Sequence, residues 1–599
     1  PILDTPDARD SASYARPLEA RVYHVALDLG VDFEAKRIGG TATLDIDRKA
    51  DAKEIVLDDK GLEIESITDG SGQPLDYKVG ASDEKMGSPL AITLRPDTRR
   101  LVIKYTSAKD AGALQWLTPE QTAGKKKPYL FSQGQAIENR SWIPTQDSPG
   151  IRQSWEAVIR VPAGLTAVMS APKSAEPITQ GGESVFSYKM PHSVAPYMIA
   201  IGVGDLAFKS LGKRTGVWTE PVMLDRAAAE LADTEKMVEA AEKLYGPYRW
   251  GRYDLLVLPP AFPYGGMENP TLTFLTPTFI AGDRSLNGLV AHELAHSWSG
   301  NLVTNANWSD SWLNEGVTSY FENRIMEEIY GPKRAQQEAA LSFDEMTKAL
   351  AEEKNGPNTQ LHLGAKEGVP DGGAGGIIYD KGAVFLRTVE KIVGREKWDT
   401  YLRSYFDRHA FQPMTSALFL ADMRANLVKG DKSLEDKLQL DNWLYKPGLP
   451  SNAARPDPAA FATVDQAVAA FSKGGPPPAD FASWTTAEKM RFLNKLPRKL
   501  PAARLNELNQ KLRLNEAGNN EVLFSWLDLA IRNRFDPAVP SLERFLTTQG
   551  RRKFVRPLIE TLAKDPQWGR PIAVRVYRVA RGSYHPITQR DLDKLNLTS

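Results

Sequence analysis

The sequence predicts a multidomain α+β protein in which a β-rich region, a mixed α/β region and an all-α region follow one another. Three observations predict it: a length of 599 residues, an apolar period that lengthens from two after Thr215, and a proline-rich break between Pro447 and Pro458. At about 150 residues per domain the length corresponds to three or four domains. Hydrophobic residues at 42%, aromatics at 9% and charged residues at 25% are the values of an ordinary globular chain.

The β-rich region is placed at residues 1–209. In it Ile38, Ala42, Leu44 and Ile46 alternate with Thr41, Thr43, Asp45 and Asp47, and Leu101, Ile103 and Tyr105 alternate with Val102 and Lys104, the pattern of strands with one face inward. The mixed region, 210–447, reads as a helix over Ala228 to Leu244, a strand over Tyr253 to Pro259, and helices over Asn287 to Gly300 and Asn314 to Ile329. The run PGLPSNAARPDP holds four prolines and few apolar residues, so 448–460 is taken as a linker. In 461–599, Thr485 and Glu488 form a capping box ahead of Met490, Phe492 and Leu493, while Leu505, Leu508 and Leu512 share a face, as in stacked helix pairs.

Charge and composition exclude several classes. Lys plus Arg equals Asp plus Glu at 75 each, which leaves no overall field to hold nucleic acid or an anionic membrane. The most apolar stretch, Ala195 to Phe208, is too short to span a bilayer and is broken by glycines. Cysteine is absent, so any metal must be held by His, Asp or Glu. The polar arm Pro1 to Arg16 leads the reading towards a periplasmic or secreted protein after removal of a targeting segment, ahead of a trimmed cytoplasmic one.

The chemistry is carried by HELAH, His292 to His296. Residues four apart stand one turn above each other on a helix, so His292 and His296 converge on one ion while Glu293 points beside it. Glu315 follows in NWSDSWLNEG, where a loop and a helix start can return a carboxylate to the first helix. Two imidazoles and a carboxylate with an open fourth position make a catalytic zinc site, and the expected cofactor is one Zn2+ per chain. Zinc lowers the pKa of its bound water to about 7 and polarises a carbonyl, and Glu293 is placed to take the proton and pass it to the leaving amine. Glu322, seven residues after Glu315, is either an acceptor orienting a ligand histidine or a solvated helix residue. The remaining histidines, 24, 192, 362, 409 and 585, read as structural.

FPYGGMENP (Phe262 to Pro270), followed by HELAH and WLNEG, resembles the zinc aminopeptidases of the aminopeptidase N superfamily, whose exopeptidase signature is GGMEN. YLFSQGQAIENRSWIPTQDSP (Tyr129 to Pro149), WLYKPGLP (Trp443 to Pro450) and QGRRKFVRPL (Gln549 to Leu558) narrow the resemblance to the leukotriene A4 hydrolase/aminopeptidase branch. The resemblance implies an N-terminal β-sheet saddle, a thermolysin-like catalytic domain and a C-terminal helical superhelix. It implies that Glu268 binds the free α-amine with Gln135 assisting, and that the Gly265–Gly266–Met267 backbone runs close to the substrate. Tyr379 would donate to the oxyanion, Asp371 would line the channel, and Arg551 with Lys553 would hold the substrate's C-terminal carboxylate. A carboxylate fixed near zinc pairs with an ammonium only when the scissile bond is the first one, which is what makes an aminopeptidase.

The function expected is removal of N-terminal residues from short peptides by attack of a zinc-bound water, by a chain acting as a monomer. Two alternatives are carried: epoxide hydrolysis at the same zinc, and a silent peptide-binding protein. Ala374 stands where the bifunctional enzymes of the branch carry a second tyrosine, which counts against the epoxide chemistry. The intact His292, Glu293, His296, Glu315 and Tyr379 count against silence.

Overall fold

The computed structural model describes residues 2–364 and 376–598. The N-terminal region is built on a seven-stranded sheet whose centre is the long antiparallel pair Ala20–Asp32 and Arg37–Arg48. Ile38, Ala42, Leu44, Ile46, Leu101, Ile103 and Tyr105 are all at most 2% exposed, so the alternation sends one face of the sheet into the core. A four-stranded and a three-stranded sheet complete the region.

The mixed region opens with a five-stranded sheet: β1 (Ala207–Ser210), β2 (Thr215–Thr219), β3 (Tyr253–Val257), β4 (Gly266–Met267) and β5 (Leu272–Leu275), in the order β1-β2-β3-β5-β4. Its first strand straddles the border expected at 209/210. The inner strands β2, β3 and β5 are parallel and the edge strands antiparallel. The helix expected over Ala228 to Leu244 is two helices, Leu224–Glu230 and Thr234–Tyr245. Thr234 donates its hydroxyl to the Leu231 carbonyl at 2.6 Å, a local side-chain bond that competes with the helical ladder and sets the break.

Four helices frame the centre: α1 (Gly288–Ala295), α2 (Trp312–Tyr330), α3 (Pro332–Glu352) and α4 (Ile377–Val393). Helices α2 and α4 cross backbone to backbone. A Cβ built on Gly382 falls 2.6 Å from the Gly316 Cα, and one built on Gly316 falls 2.6 Å from the Ile378 carbonyl oxygen. Neither neighbour is a side chain that can swing away. Gly382→Ala therefore forces the helices apart and is expected to cost about 1–3 kcal/mol, as for overpacking of a tight core. A lowered thermal midpoint checks this; an unchanged midpoint contradicts it.

The N-terminal and mixed regions share one continuous apolar core, whereas the helical region from Phe461 to Leu597 builds a second one, joined by Ala340 of α3. The chain between them, 446–457, carries no helix or strand and is fastened at Asn452, which accepts from the Trp443 indole at 2.9 Å. The capping box at Thr485 and Glu488 is present at the start of helix Thr486–Lys495. Leu505 and Leu508 are fully buried and Leu512 partly so. Among the described residues no helix is long and apolar enough to cross a membrane.

Candidate active site

Helix α1 carries HELAH because its apolar residues have somewhere to go: Val290, Ala291, Leu294 and Ala295 are at most 1% exposed. It packs against β4, β5 and α2. The helix expected to run to Gly300 stops at Ala295. Gly300 takes a left-handed φ of 116°, and the Asn301 amide turns back to the His296 carbonyl at 2.9 Å. His296 caps the helix with φ −59° and ψ −19°, still helical, so the i, i+4 relation of the two imidazoles survives.

Glu315 lies in the first turn of α2. Its Oε2 stands 3.2 Å from His292 Nε2 and 3.3 Å from His296 Nε2. The opposite ring nitrogens are fixed from behind. His292 Nδ1 meets Glu322 Oε1 at 2.9 Å, and His296 Nδ1 meets the Ser299 carbonyl at 3.1 Å with Thr318 Oγ1 also at 3.1 Å. A carbonyl only accepts, so His296 Nδ1 carries the proton and the neutral ring turns a lone pair from Nε2 towards a carboxylate. Two imidazole lone pairs and a carboxylate oxygen facing one another repel unless a cation lies between them. The donor set fits zinc, and the Glu322 and Ser299 contacts are of the kind that orient ligand histidines. Glu322 is thus not a solvated helix residue. The Ser299 carbonyl could not be found from residue types, since every residue has one.

Among the described residues two overlapping groups could hold a metal: His292, His296 and Glu315, and Glu268, Glu293 and His296. Only the first contains both imidazoles. Glu268 and Glu293 are 3% and 5% exposed, and Glu268 Oε1 and Glu293 Oε2 have no hydrogen-bond partner. Burial pushes Glu293 up to about 8 and raises Glu268 as well. Burial would raise Glu315 too, but His296 and His292 outweigh it and hold that carboxylate below its usual range. Burial would lower His296, yet Glu268 and Glu315 carry it to about 9. A dication among these groups inverts that pattern and favours ionised carboxylates with neutral imidazoles.

The two glycines of GGMEN make room for side chains of the protein itself. A Cβ on Gly266 would lie 2.9 Å from Glu293 Oε1, and one on Gly265 would lie 2.8 Å from Arg551 Nη2. Glu293 and Arg551 thus lie against consecutive residues, Gly266 at the start of edge strand β4 and Gly265 just before it. Met267 is buried, with its sulfur 3.4 Å from Gln133 Nε2, and the Glu268 carbonyl accepts from Asn301 Nδ2 at 2.8 Å. Gln135, partly buried, follows two residues after Gln133 in the same loop.

Tyr379, in the first turn of α4, stacks its ring 6.0 Å from that of His292. Although Tyr379 is 37% exposed, the charge of Glu315 above all, with those of Glu268 and Glu293, keeps its phenol protonated well above the usual range. Arg551 is partly buried and reaches Thr278 Oγ1 at 3.3 Å, while the half-exposed Lys553 is paired with Glu521. The two cations assigned to one anion are therefore unequal: Arg551 lies against Gly265 and Thr278, whereas Lys553 is already paired with a carboxylate. Asp371 and Ala374 lie outside the described residues. The other histidines serve the scaffold: His24 meets Ser154, His192 stacks on Phe411, His362 pairs with Asp310, His409 with Asp422, and His585 caps a helix.

The sequence matches the Peptidase M1 N-terminal domain over residues 17–198, the Peptidase family M1 domain over 229–441 and the Leukotriene A4 hydrolase C-terminal domain over 484–595. It is 36% identical to the leukotriene A-4 hydrolase of Xenopus laevis over 97% of this chain and 98% of that one. It is 34% identical to leucine aminopeptidase 2 of Yarrowia lipolytica, over 98% of this chain and 93% of that one. The native leukotriene A4 hydrolase from Saccharomyces cerevisiae superposes with a TM-score of 0.89 at 30% identity, covering 99% of this chain and 98% of that one.

Proposed function

The chain belongs to peptidase family M1, with a C-terminal domain of the leukotriene A4 hydrolase type, and is a zinc metallo-aminopeptidase; on that premise we propose how its residues divide the work and that its substrates are short peptides. His292, His296 and Glu315 hold the zinc. The observation that carries the reading is the pair of buried, unpartnered carboxylate oxygens on Glu268 and Glu293 beside that ligand set. Buried acceptors without a donor are costly; the ammonium of a substrate satisfies Glu268, and the proton of the attacking water satisfies Glu293.

Bound there, zinc supplies Lewis acidity, polarising the scissile carbonyl and making water acidic enough to lose a proton near neutral pH. Glu293, held against Gly266, takes that proton through its free oxygen and delivers it to the leaving amine. Glu268 accepts hydrogen bonds from the substrate's α-ammonium, and Gln135 assists at the same end. Tyr379 donates its phenolic hydrogen to the oxygen on which negative charge develops. Arg551, helped by Lys553, meets the terminal carboxylate of a short peptide, for which its planar fork is suited. Asp371 lines the channel in this reading.

Glu268→Ala is expected to lower kcat/KM on leucine p-nitroanilide about ten- to a hundredfold, the worth of charge-assisted hydrogen bonds of about 1.5–3 kcal/mol. N-acetyl-leucine p-nitroanilide is expected to resist the parent enzyme. A variant that keeps full activity on the free amine removes Glu268 from the amine site. The monomeric state is tested by light scattering at working concentration.

The likeness to the Xenopus leukotriene A-4 hydrolase supports a second activity at the same zinc, opening of a fatty-acid epoxide. Turnover of such an epoxide to a diol would sustain it, and no diol beside intact anilide hydrolysis would end it.

A further inference from the structure

A cavity of about 210 Å³ lies between α2, α3 and α4 and borders the centre through His292 and Tyr379, which line it. It is smaller than the roughly 300–1,000 Å³ of a site for a whole small molecule, and suits one amino-acid side chain. Phe343, Ala383 and Val384 give it an apolar wall. Against that wall stand three carboxylates, those of Glu322, Glu338 and Asp380, and one guanidinium, that of Arg387.

These carboxylates are short of cations. Glu322 is engaged with His292, and Glu338 faces Arg334 at 3.3 Å, whose guanidinium also donates to the Ser285 carbonyl and stacks on Tyr330. Among the described residues nothing donates a hydrogen bond to Asp380, and Arg387 draws it only from a distance. Burial first, then the charges of Glu345 and Glu322, push Asp380 up to about 7, and burial brings Glu338 to about 7 as well. A bound cation would reverse both shifts.

The cavity also has a defined place along the substrate. Glu268, at the amine end, lies 3.9 Å from His296, whereas the cavity borders His292 on the other flank of the ligand set. Glu345, which bears on Asp380, bears also on Lys553 at the carboxylate end. The centre on the other side of His292 is built for a ligand: the oxygens Glu268 Oε1 and Glu293 Oε2 there are unpartnered and more than nine-tenths buried.

We propose that this cavity receives the side chain of the residue that follows the scissile bond, and that Asp380 and Glu338 make it select lysine or arginine there. The methylene stem lies along Phe343, Ala383 and Val384, as long basic side chains lie on apolar surface, and the cationic head reaches the two carboxylates. The inference rests on the peptidase reading above and names the specificity of its leaving side.

The test is competition between Ala-Lys-Ala, Ala-norleucine-Ala and Ala-Glu-Ala, with alanine p-nitroanilide cleaved alongside. A ratio of two substrates in one tube does not depend on how much enzyme is folded. The parent is expected to favour lysine over its uncharged isostere norleucine about tenfold, one charge-assisted contact, and to disfavour glutamate. In the double variant Asp380→Asn, Glu338→Gln the lysine to norleucine ratio is expected to fall towards one. Equal kcat/KM for lysine and norleucine in the parent overturns the proposal, as does a preference that survives the double variant. The anilide has no residue after its scissile bond, so its failure to be cleaved counts against the peptidase reading, whereas flat ratios with the anilide cleaved count against the subsite alone.

Discussion

Glu293→Gln is expected to lower kcat on an aminoacyl anilide by about 10²–10⁴-fold, the usual contribution of a positioned general acid–base, while the protein still carries one zinc per chain. The substitution keeps the shape that packs against Gly266, where the side chain lies 2.9–3.0 Å from the place of a Cβ, and removes only the capacity to hold a proton. Glu293 does not belong to the His292, His296 and Glu315 donor group, so metal content and thermal midpoint should follow the parent. Metal analysis beside steady-state kinetics decides it. A variant loaded with zinc and turning over at the parental rate would falsify the assignment of Glu293 as the base.

Removal of the zinc has a comparable effect on rate and an additional one on stability. The centre gathers the carboxylates of Glu268, Glu293 and Glu315, all at most 7% exposed, around two imidazoles. Without a dication the pocket holds closely spaced buried acceptors with too few donors, an arrangement that is strongly destabilising when a charge partner is lost. Chelation is expected to bring anilide hydrolysis to background, and added zinc to restore it. At zinc a thousandfold above its dissociation constant the native state gains about 4 kcal/mol, so the parent should unfold at higher temperature with zinc than with chelator. His296→Ala should lose both the activity and the zinc-dependent shift. A midpoint indifferent to zinc in the parent would exclude this centre as the metal site.

Much of the site was legible because its spacing is covalent. HELAH on a helix dictates where two imidazoles point, and a cysteine-free chain leaves His, Asp and Glu as ligands. The domain classes were legible from periodicity, since Ile38, Ala42 and Leu44 can share one face only in a strand. What escaped were features that depend on another segment's backbone or on several helices meeting. The seven-residue offset of Glu322 fixed its face but not its partner, and the carbonyl of Ser299 behind His296 has no signature in residue type. The glycines at 265 and 266 read as places where backbone approaches substrate; that a Cβ at either would also meet Glu293 or Arg551 depends on segments far away in sequence. The helix through HELAH read as continuing to Gly300 because Ser297 to Ser299 carry no breaker before the turn. The carboxylates of the side cavity lie 16 to 58 residues apart on three helices, 322 on α2, 338 on α3 and 380 on α4, so no local window contains them.

The helical region, with its separate core, meets the zinc region where Arg551 sits. The Gly550 amide donates to the Pro260 carbonyl at 2.8 Å, and the Arg552 amide donates to the Pro263 carbonyl at 2.9 Å. Two main-chain bonds thus flank the residue assigned to the substrate's far end and peg it to the loop that leads into Gly265. On the assignments proposed above the enzyme works as a caliper: one jaw is the carboxylate of Glu268, the other is the guanidinium of Arg551, borne by the helical region, and the span between them is set by a seam of backbone. Loosening that seam should broaden the range of peptide lengths accepted while leaving the hydrolytic chemistry as it is.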